Sequence, residues 1–310
     1  MPFIGETIAF ATVFAWTTSS IVFEYSSKKI GSTCVNFFKL LVSTLVIAIY
    51  LYFTTGSFVP LYTTDKTVIW IIASGIIGFT ICDLALFHSF VIMGAHYAQL
   101  IMTGYPIFAA ITAWLIIKES LAPMAILGIC ITIIGVAITI LSHKSEKKGL
   151  NLIIPKKGLI LAFIAAICQG VGFVLSKKGM MEYANSEHIT QQSHDLIPIA
   201  ATQIRAAAGF LGVFLSMLLS RRLHKIRFAL QQKKAIYITL IGTIAGPLVG
   251  VILSLLALQH ASTGVVSTII ATQPILLMLY EIIVNNKKIS RKEILGTILA
   301  VIGIILFFLV

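Results

Sequence analysis

Residues 106–135 read PIFAAITAWLIIKESLAPMAILGICITIIG, and residues 274–303 read PILLMLYEIIVNNKKISRKEILGTILAVIG. Shifting the chain by 168 positions brings the two together. Pro106 then meets Pro274, Gly128 meets Gly296, and Gly135 meets Gly303. Ile107, Ile126, Leu127 and Ile134 meet Ile275, Ile294, Leu295 and Ile302, which makes seven identities in thirty gap-free positions. An apolar composition supplies isoleucine and leucine matches by itself, but it aligns a proline and two glycines at unchanged spacing less easily. Upstream, Gly78 meets Gly246 in the same register. Further upstream the offset drifts, and Lys39 meets Arg205, a basic residue early in the second helix of each copy. Two copies of one unit are therefore expected, over 1–150 and 151–310.

The surrounding chain says what each unit is made of. Of 310 residues, 58% are hydrophobic and only 11% charged, and the mean hydropathy is +1.00. A single soluble core cannot hide that much apolar surface, whereas a bilayer supplies apolar solvent, with about 20 residues needed per span. Apolar runs fall near 5–25, 34–53, 68–91, 95–117, 122–141, 158–176, 197–219, 235–258, 263–284 and 293–310. Helices satisfy their own backbone hydrogen bonds in lipid, as an open sheet does not. The third and fourth runs part only around Gly94-Ala95-His96, and the eighth and ninth around Gln259-His260-Ala261, so each pair reads as a tight helical hairpin. Five helices per unit is an odd number, so the second copy must start from the opposite side of the membrane. The expected fold is an all-α membrane protein of ten transmembrane helices in two inverted five-helix repeats.

Charge bears on orientation and excludes some functions. The net charge is +12. A soluble protein with that excess would raise nucleic-acid binding, but here the basic residues sit in loops and no aromatic–basic interleaving accompanies them, so no nucleic-acid partner is expected. Loops after the odd-numbered helices carry 17 Lys or Arg and those after the even-numbered ones carry 4. The positive-inside rule then places both termini outside. The stretch 179–196, with Glu182, Glu187 and Asp195 and no Lys or Arg, fits an external loop. The first run follows Met1–Glu6 without a basic n-region or small-residue cleavage site, and reads as a retained helix rather than a signal peptide. Cys34, Cys82, Cys130 and Cys168 lack metal or disulfide spacing and read as small buried packing residues. No metal or cofactor is expected.

With these features the sequence resembles the drug/metabolite transporter superfamily, in its EamA-like ten-helix branch. The resemblance rests on two five-helix halves, Trp16 in the first helix, Lys39 and Arg205 near the start of each second helix, and the pattern Pro106, Lys118-Glu119, Gly128, Gly135. It implies a basket of helices around a central cavity, alternating access, and a small-molecule substrate. It also implies termini on the inside, against the charge count. Two positions depart from the pattern: Lys287 stands where the first half has Glu119, and Gln169 takes the tryptophan position in the sixth helix.

Ionisable groups inside a span cost a few kcal/mol and default to a functional reading. Asp83, beyond the middle of the third helix, reads either as an ion pair with Lys39 or Arg205 or as a titrating proton-coupling site. Lys39 and Arg205 read either as snorkelling to the interface or as neutralising an anionic substrate group. Glu281 lies seven residues after Pro274, on much the same helix face, accompanied by Tyr280 and Gln273. Pro106, beside Tyr105 and Gln99, and Pro274 each free a carbonyl and mark either a cavity lining or a packing kink. Trp16, in a small-polar cluster with Thr17–Ser20, and Gln169 at the corresponding depth of the sixth helix are candidate lining residues. Gln203 joins the candidate binding set. Gly128, Gly135, Gly296 and Gly303 are candidate hinge or packing positions. Glu24 and Lys28 fit an i,i+4 pair, and Glu119, near a helix end, fits a capping or loop role.

These features fit a secondary transporter moving a small metabolite, an amino acid or related solute, by export, with protons as a possible coupling ion. A multidrug exporter or sugar-derivative exchanger of the same fold is the alternative. An intramembrane enzyme is disfavoured by the lack of His-Glu-x-x-His, Gly-x-Gly-Asp or Gly-x-Ser-x-Gly, and a channel by the sparse polar residues. The expected location is the bacterial inner (plasma) membrane.

Overall fold

The computed structural model describes residues 3–119, 123–143, 155–187, 189–284, 286 and 290–308. Helices alone make up their regular structure. In chain order the long ones are α1 (Ile4–Ile30), α2 (Ser32–Thr55), α3 (Asp65–Met93), α4 (Ala95–Ile116), α5 (Pro123–His143), α6 (Lys156–Ala184), α7 (Ile197–Leu219), α8 (Lys233–His260), α9 (Thr263–Ile283) and α10 (Arg291–Phe308). Eight of these, α1–α4 and α6–α9, are long and apolar enough to cross a membrane. Large apolar side chains cover the outside: Phe53 is 81% exposed and Leu219 83%, an arrangement suited to lipid rather than water. Between α6 and α7 helix persists to Ala184, so residues 179–184 belong to a helix and the connecting loop is shorter than the sequence implied. Lys287 lies outside the described residues.

Two irregularities recur at the 168-residue offset, both where the backbone ladder is interrupted. In α3 the segment Ile76–Cys82 is π-helical, and in α8 so is Ile244–Val251, with Pro247 inside it. A proline removes a ladder bond, and the wider π turn takes up the misfit. In α3 there is no proline; instead Asn36 Nδ2 donates to the carbonyl of Phe79 at 2.8 Å, satisfying a group the widened turn leaves free. The second irregularity is a break. α4 is interrupted at Thr103-Gly104 ahead of Tyr105-Pro106, and α9 at Ala271-Thr272 ahead of Gln273-Pro274. Each proline sits at the start of the resumed helix, where its missing N–H costs least.

The packing is reciprocal. α1 lies along α8 and α9, while α6 lies along α3 and α4; α2 meets α7, α4 meets α9, and α5 meets α10. The first helix of each half is thus inserted against the third and fourth helices of the other. Small residues permit these crossings, as expected where dispersion rather than water expulsion holds helices together. Gly170 of α6 abuts the α4 backbone: a Cβ there would stand 2.6 Å from Ala109 N and 2.7 Å from Tyr105 O. Gly135 meets the α10 backbone at Ala300 and Gly296, and Gly303 meets Thr132 and Gly128 O of α5. The four repeat glycines therefore share one α5–α10 contact. The cysteines are free. Cys34 and Cys82 are buried and Cys168 is half-buried, but Cys130 is exposed on α5, contrary to the packing role expected of it.

Candidate functional site

A cavity of about 70 Å³ lies on the seam between the halves. That is room for several waters or one small solute group. Its wall draws on α1 through α4 of the first half and α6, α7 and α8 of the second. Six residues that the sequence singled out meet there: Trp16, Lys39, Asp83, Gln99, Gln169 and Arg205.

Lys39 and Asp83 form an ion pair between α2 and α3. Lys39 is 3% exposed, so it does not snorkel. Its ammonium is surrounded by the rings of Phe23, Phe79 and Phe87, with centroids 5.9, 5.1 and 5.0 Å away. An aromatic face attracts a cation from which water has been removed, so this cage offsets part of the desolvation that burial imposes on the pair.

Arg205 of α7 is buried as well, at 2% exposure, and is held differently. Its guanidinium carbon lies 4.6 Å from the centroid of Phe79, so one ring serves both cations. Its Nε and Nη1 find no acceptor among the described residues. Gly78, in the π segment of α3, makes room for it: a Cβ at that position would stand 2.9 Å from Nη2. Gly75, one turn earlier, lets α3 cross α7 at the backbone of Arg205 itself, where a Cβ would be 2.6 Å from its carbonyl oxygen.

The neutral polar side chains form a second cluster around Ser20 of α1. Its Oγ accepts from Gln99 Nε2 at 2.9 Å and from Gln273 Nε2 at 2.8 Å, and Gln273 also donates to the Trp16 carbonyl at 2.9 Å. Broken helices α4 and α9 thus both reach α1 through a glutamine just beside the break. Trp16 packs against Gly250 in the π segment of α8 and lies 5.8 Å from the Phe173 ring.

Other candidates lie off the cavity wall. Tyr105 is buried and its hydroxyl donates to Ser267 O of α9 at 2.6 Å, tying the two broken helices together. Gln203 is buried two residues before Arg205, with Oε1 lacking a partner among the described residues. Gln273 stands behind the wall on Ser20. Tyr280 and Glu281 are half-buried near the C-terminal end of α9. Phe23, Phe79, Phe87, Met102 and Pro247 line the cavity without having been singled out. Only their neighbours in space separate these residues from the many lipid-facing phenylalanines and methionines.

Carboxylates also cap helix N-termini at the two ends of the bundle. Glu24 Oε2 accepts from the backbone N–H of Ala95, the first residue of α4, at 2.8 Å, and the same side chain pairs with Lys28. At the other end Glu119, just beyond α4, accepts from Thr263 N and Thr263 Oγ1, both at 2.8 Å. Lys177 of α6 lies 3.4 Å from Glu119 and donates to Ala261 O at 3.0 Å. Ala95 and Thr263 are 168 residues apart, so equivalent helix N-termini each receive a carboxylate, which suits the partial positive charge there. Glu119 is a cap, as expected, but it caps α9 of the other half.

Many apolar helices enclosing a small ionised cavity make this a multi-pass integral membrane protein. Residues 3–141 and 156–309 each match the EamA-like transporter family. The chain belongs to that family, with the family unit present twice, and EamA-like proteins are transporters rather than enzymes. A protein of known crystal structure, 14% identical, superposes with a TM-score of 0.66 over 98% of this chain and 96% of its own, a likeness of fold. No curated protein matches the chain.

The buried pair makes a quantitative prediction. Asp83→Asn leaves Lys39 without its counter-charge, and orphaning one member of a buried pair costs on the order of 3–5 kcal/mol. The double variant Lys39→Met/Asp83→Leu removes both charges and is expected to recover most of that loss. Thermal unfolding in nanodiscs measures it, with Lys39→Met as the second single variant; a loss in the double variant equal to the sum of the two single losses would show that the pair is not coupled.

Proposed function

We propose that the chain is a secondary carrier of a small metabolite, an amino acid or related solute, working by alternating access. Ten spans in two inverted five-helix repeats, 1–150 and 151–310, would present the seam cavity to one face at a time, with α5 and α10 as the fifth and tenth spans. The observation that carries this reading is a cavity built from both halves that holds the Lys39–Asp83 pair and Arg205. The reciprocal packing and the irregularities repeated at one offset support a two-fold relation between halves, and an odd number of spans per half sets them antiparallel.

The cavity reaches from mid-membrane toward the end where α1 and α3 finish and α2 and α4 begin. The Glu119–Lys177–Thr263 clasp lies at the opposite end and is closed. Opening that face requires the clasp to break, and the Glu24–Ala95 contact is its counterpart for the other face. Export is the proposed direction and the bacterial inner membrane the proposed location, with both termini outside as the loop charges direct. Asp83 is the cavity carboxylate through which protons would couple.

Three measurements test the parts. Purified protein in proteoliposomes is expected to give saturable counterflow with at least one member of a panel of amino acids, organic acids, amides and amines. Non-saturating conductance would mean a channel, chemical turnover an enzyme, and no flux at all would end the carrier reading. For the clasp, a Ser267→Cys reporter, on α9 one turn inside Thr263, is expected to react faster with a hydrophilic maleimide in Glu119→Gln, and unchanged reactivity would remove the clasp from gating. For orientation, in a cysteine-free background, a cysteine at Ser57 should be labelled by an impermeant reagent in intact cells and one at Lys225 should not; the reverse pattern places the termini inside.

A further inference from the structure

The charges in the cavity are not balanced, and the repeat shows why. Lys39 and Arg205 are counterparts in the two halves, each early in a second helix. In the first half Lys39 has Asp83. The residue 168 positions beyond Asp83 is Val251, which also lines the cavity. The second half has kept the cation and has valine where the acid would be. The charged residues of the wall are thus Lys39, Asp83 and Arg205, one positive charge in excess.

Several observations show that Arg205 is held open rather than merely tolerated. It is 2% exposed, its Nε and Nη1 have no acceptor among the described residues, and the one carboxylate among the described wall residues is taken by Lys39. Phe79 supports the guanidinium by its face, an interaction that fixes position without consuming an N–H. Gly78 clears the space beside Nη2. A buried, unneutralised cation costs several kcal/mol, and a ligand anion removes that cost when it binds. Guanidinium presents its donors as a planar fork matched to carboxylate, and a single excess charge matches one carboxylate rather than a dianion.

We infer that Arg205 is the anchor for a carboxylate on the transported solute, and that Val251 keeps the anchor free by leaving the second half without its own acid. This rests on the carrier reading above and narrows it to solutes bearing one carboxylate.

The experiment uses the full chain in proteoliposomes with matched acid and primary-amide pairs: lactate and lactamide, L-alanine and L-alaninamide, L-leucine and L-leucinamide, L-phenylalanine and L-phenylalaninamide. The acid of at least one pair is expected to support counterflow with an apparent KM lower than its amide's by about tenfold or more, the effect of one charge-assisted contact. Arg205→Gln is expected to abolish the preference and Arg205→Lys to keep part of it. Val251→Asp is the more telling variant, because it leaves Arg205 in place and supplies an internal carboxylate; it too is expected to lose the preference. It also serves if Arg205→Gln fails to fold. Amides moving as well as acids, or an intact preference in Val251→Asp, overturns the inference while leaving the carrier standing. Absence of counterflow with every acid, amide and amine tested overturns the carrier reading itself.

Discussion

A charge inside a bilayer has to be answered within the protein, because no water is there to answer it. That constraint explains the arrangement around Lys39. Its ammonium sits deep between α2 and α3 with a carboxylate against it and three phenylalanine rings around it. Arg205 meets the same constraint only in part, by lying over Phe79. The two halves share a scaffold but answer this charge differently, so the protein carries a polar imbalance in the place where the halves meet.

The backbone obeys the same rule. Every interruption of a helical ladder exposes carbonyls or N–H groups that lipid cannot satisfy. Here the interruptions lie on the seam and find partners there. The π turn of α3 gives Phe79 O to Asn36. The breaks of α4 and α9 lie next to Gln99 and Gln273, whose amides converge on Ser20. The free N-termini of α4 and α9 receive Glu24 and Glu119. Except at the α9 break, which stands behind the wall, the irregular backbone borders the cavity.

Much of this was legible in the residues. The repeat register read from Pro106, Gly128 and Gly135 is the register in which the π segments and helix breaks recur. Asp83, Lys39 and Arg205 stood out because charge is rare in apolar runs, and the structure gathers all three. What stayed hidden was anything that depends on which face of a helix a residue takes. Phe79 reads like any lipid-facing phenylalanine until the crossing of α3 with α2 and α7 is known. Glu119 reads as a helix-end residue, and its contact with Thr263, 144 residues away, leaves no trace in local spacing. Tyr105 sat beside a proline, a fair sign of a cavity, yet its hydroxyl is spent on Ser267 O. Cys130 read like the other cysteines in composition and departs from them by standing exposed on α5.

The division of labour among helices bears on how such a cavity could change faces. The charged groups sit on α2, α3 and α7, and α7 packs against both of the others. The clasped ends belong to α1, α4, α6 and α9. On the carrier reading, motion of the second group can open either end of the seam without separating Lys39 from Asp83 or displacing Arg205. The costly electrostatic core then stays fixed while the inexpensive contacts exchange: one carboxylate on one helix N-terminus at each end. On that same reading, one inexpensive contact at each end of the cavity would keep the two states close enough in energy for a small solute to tip the balance between them.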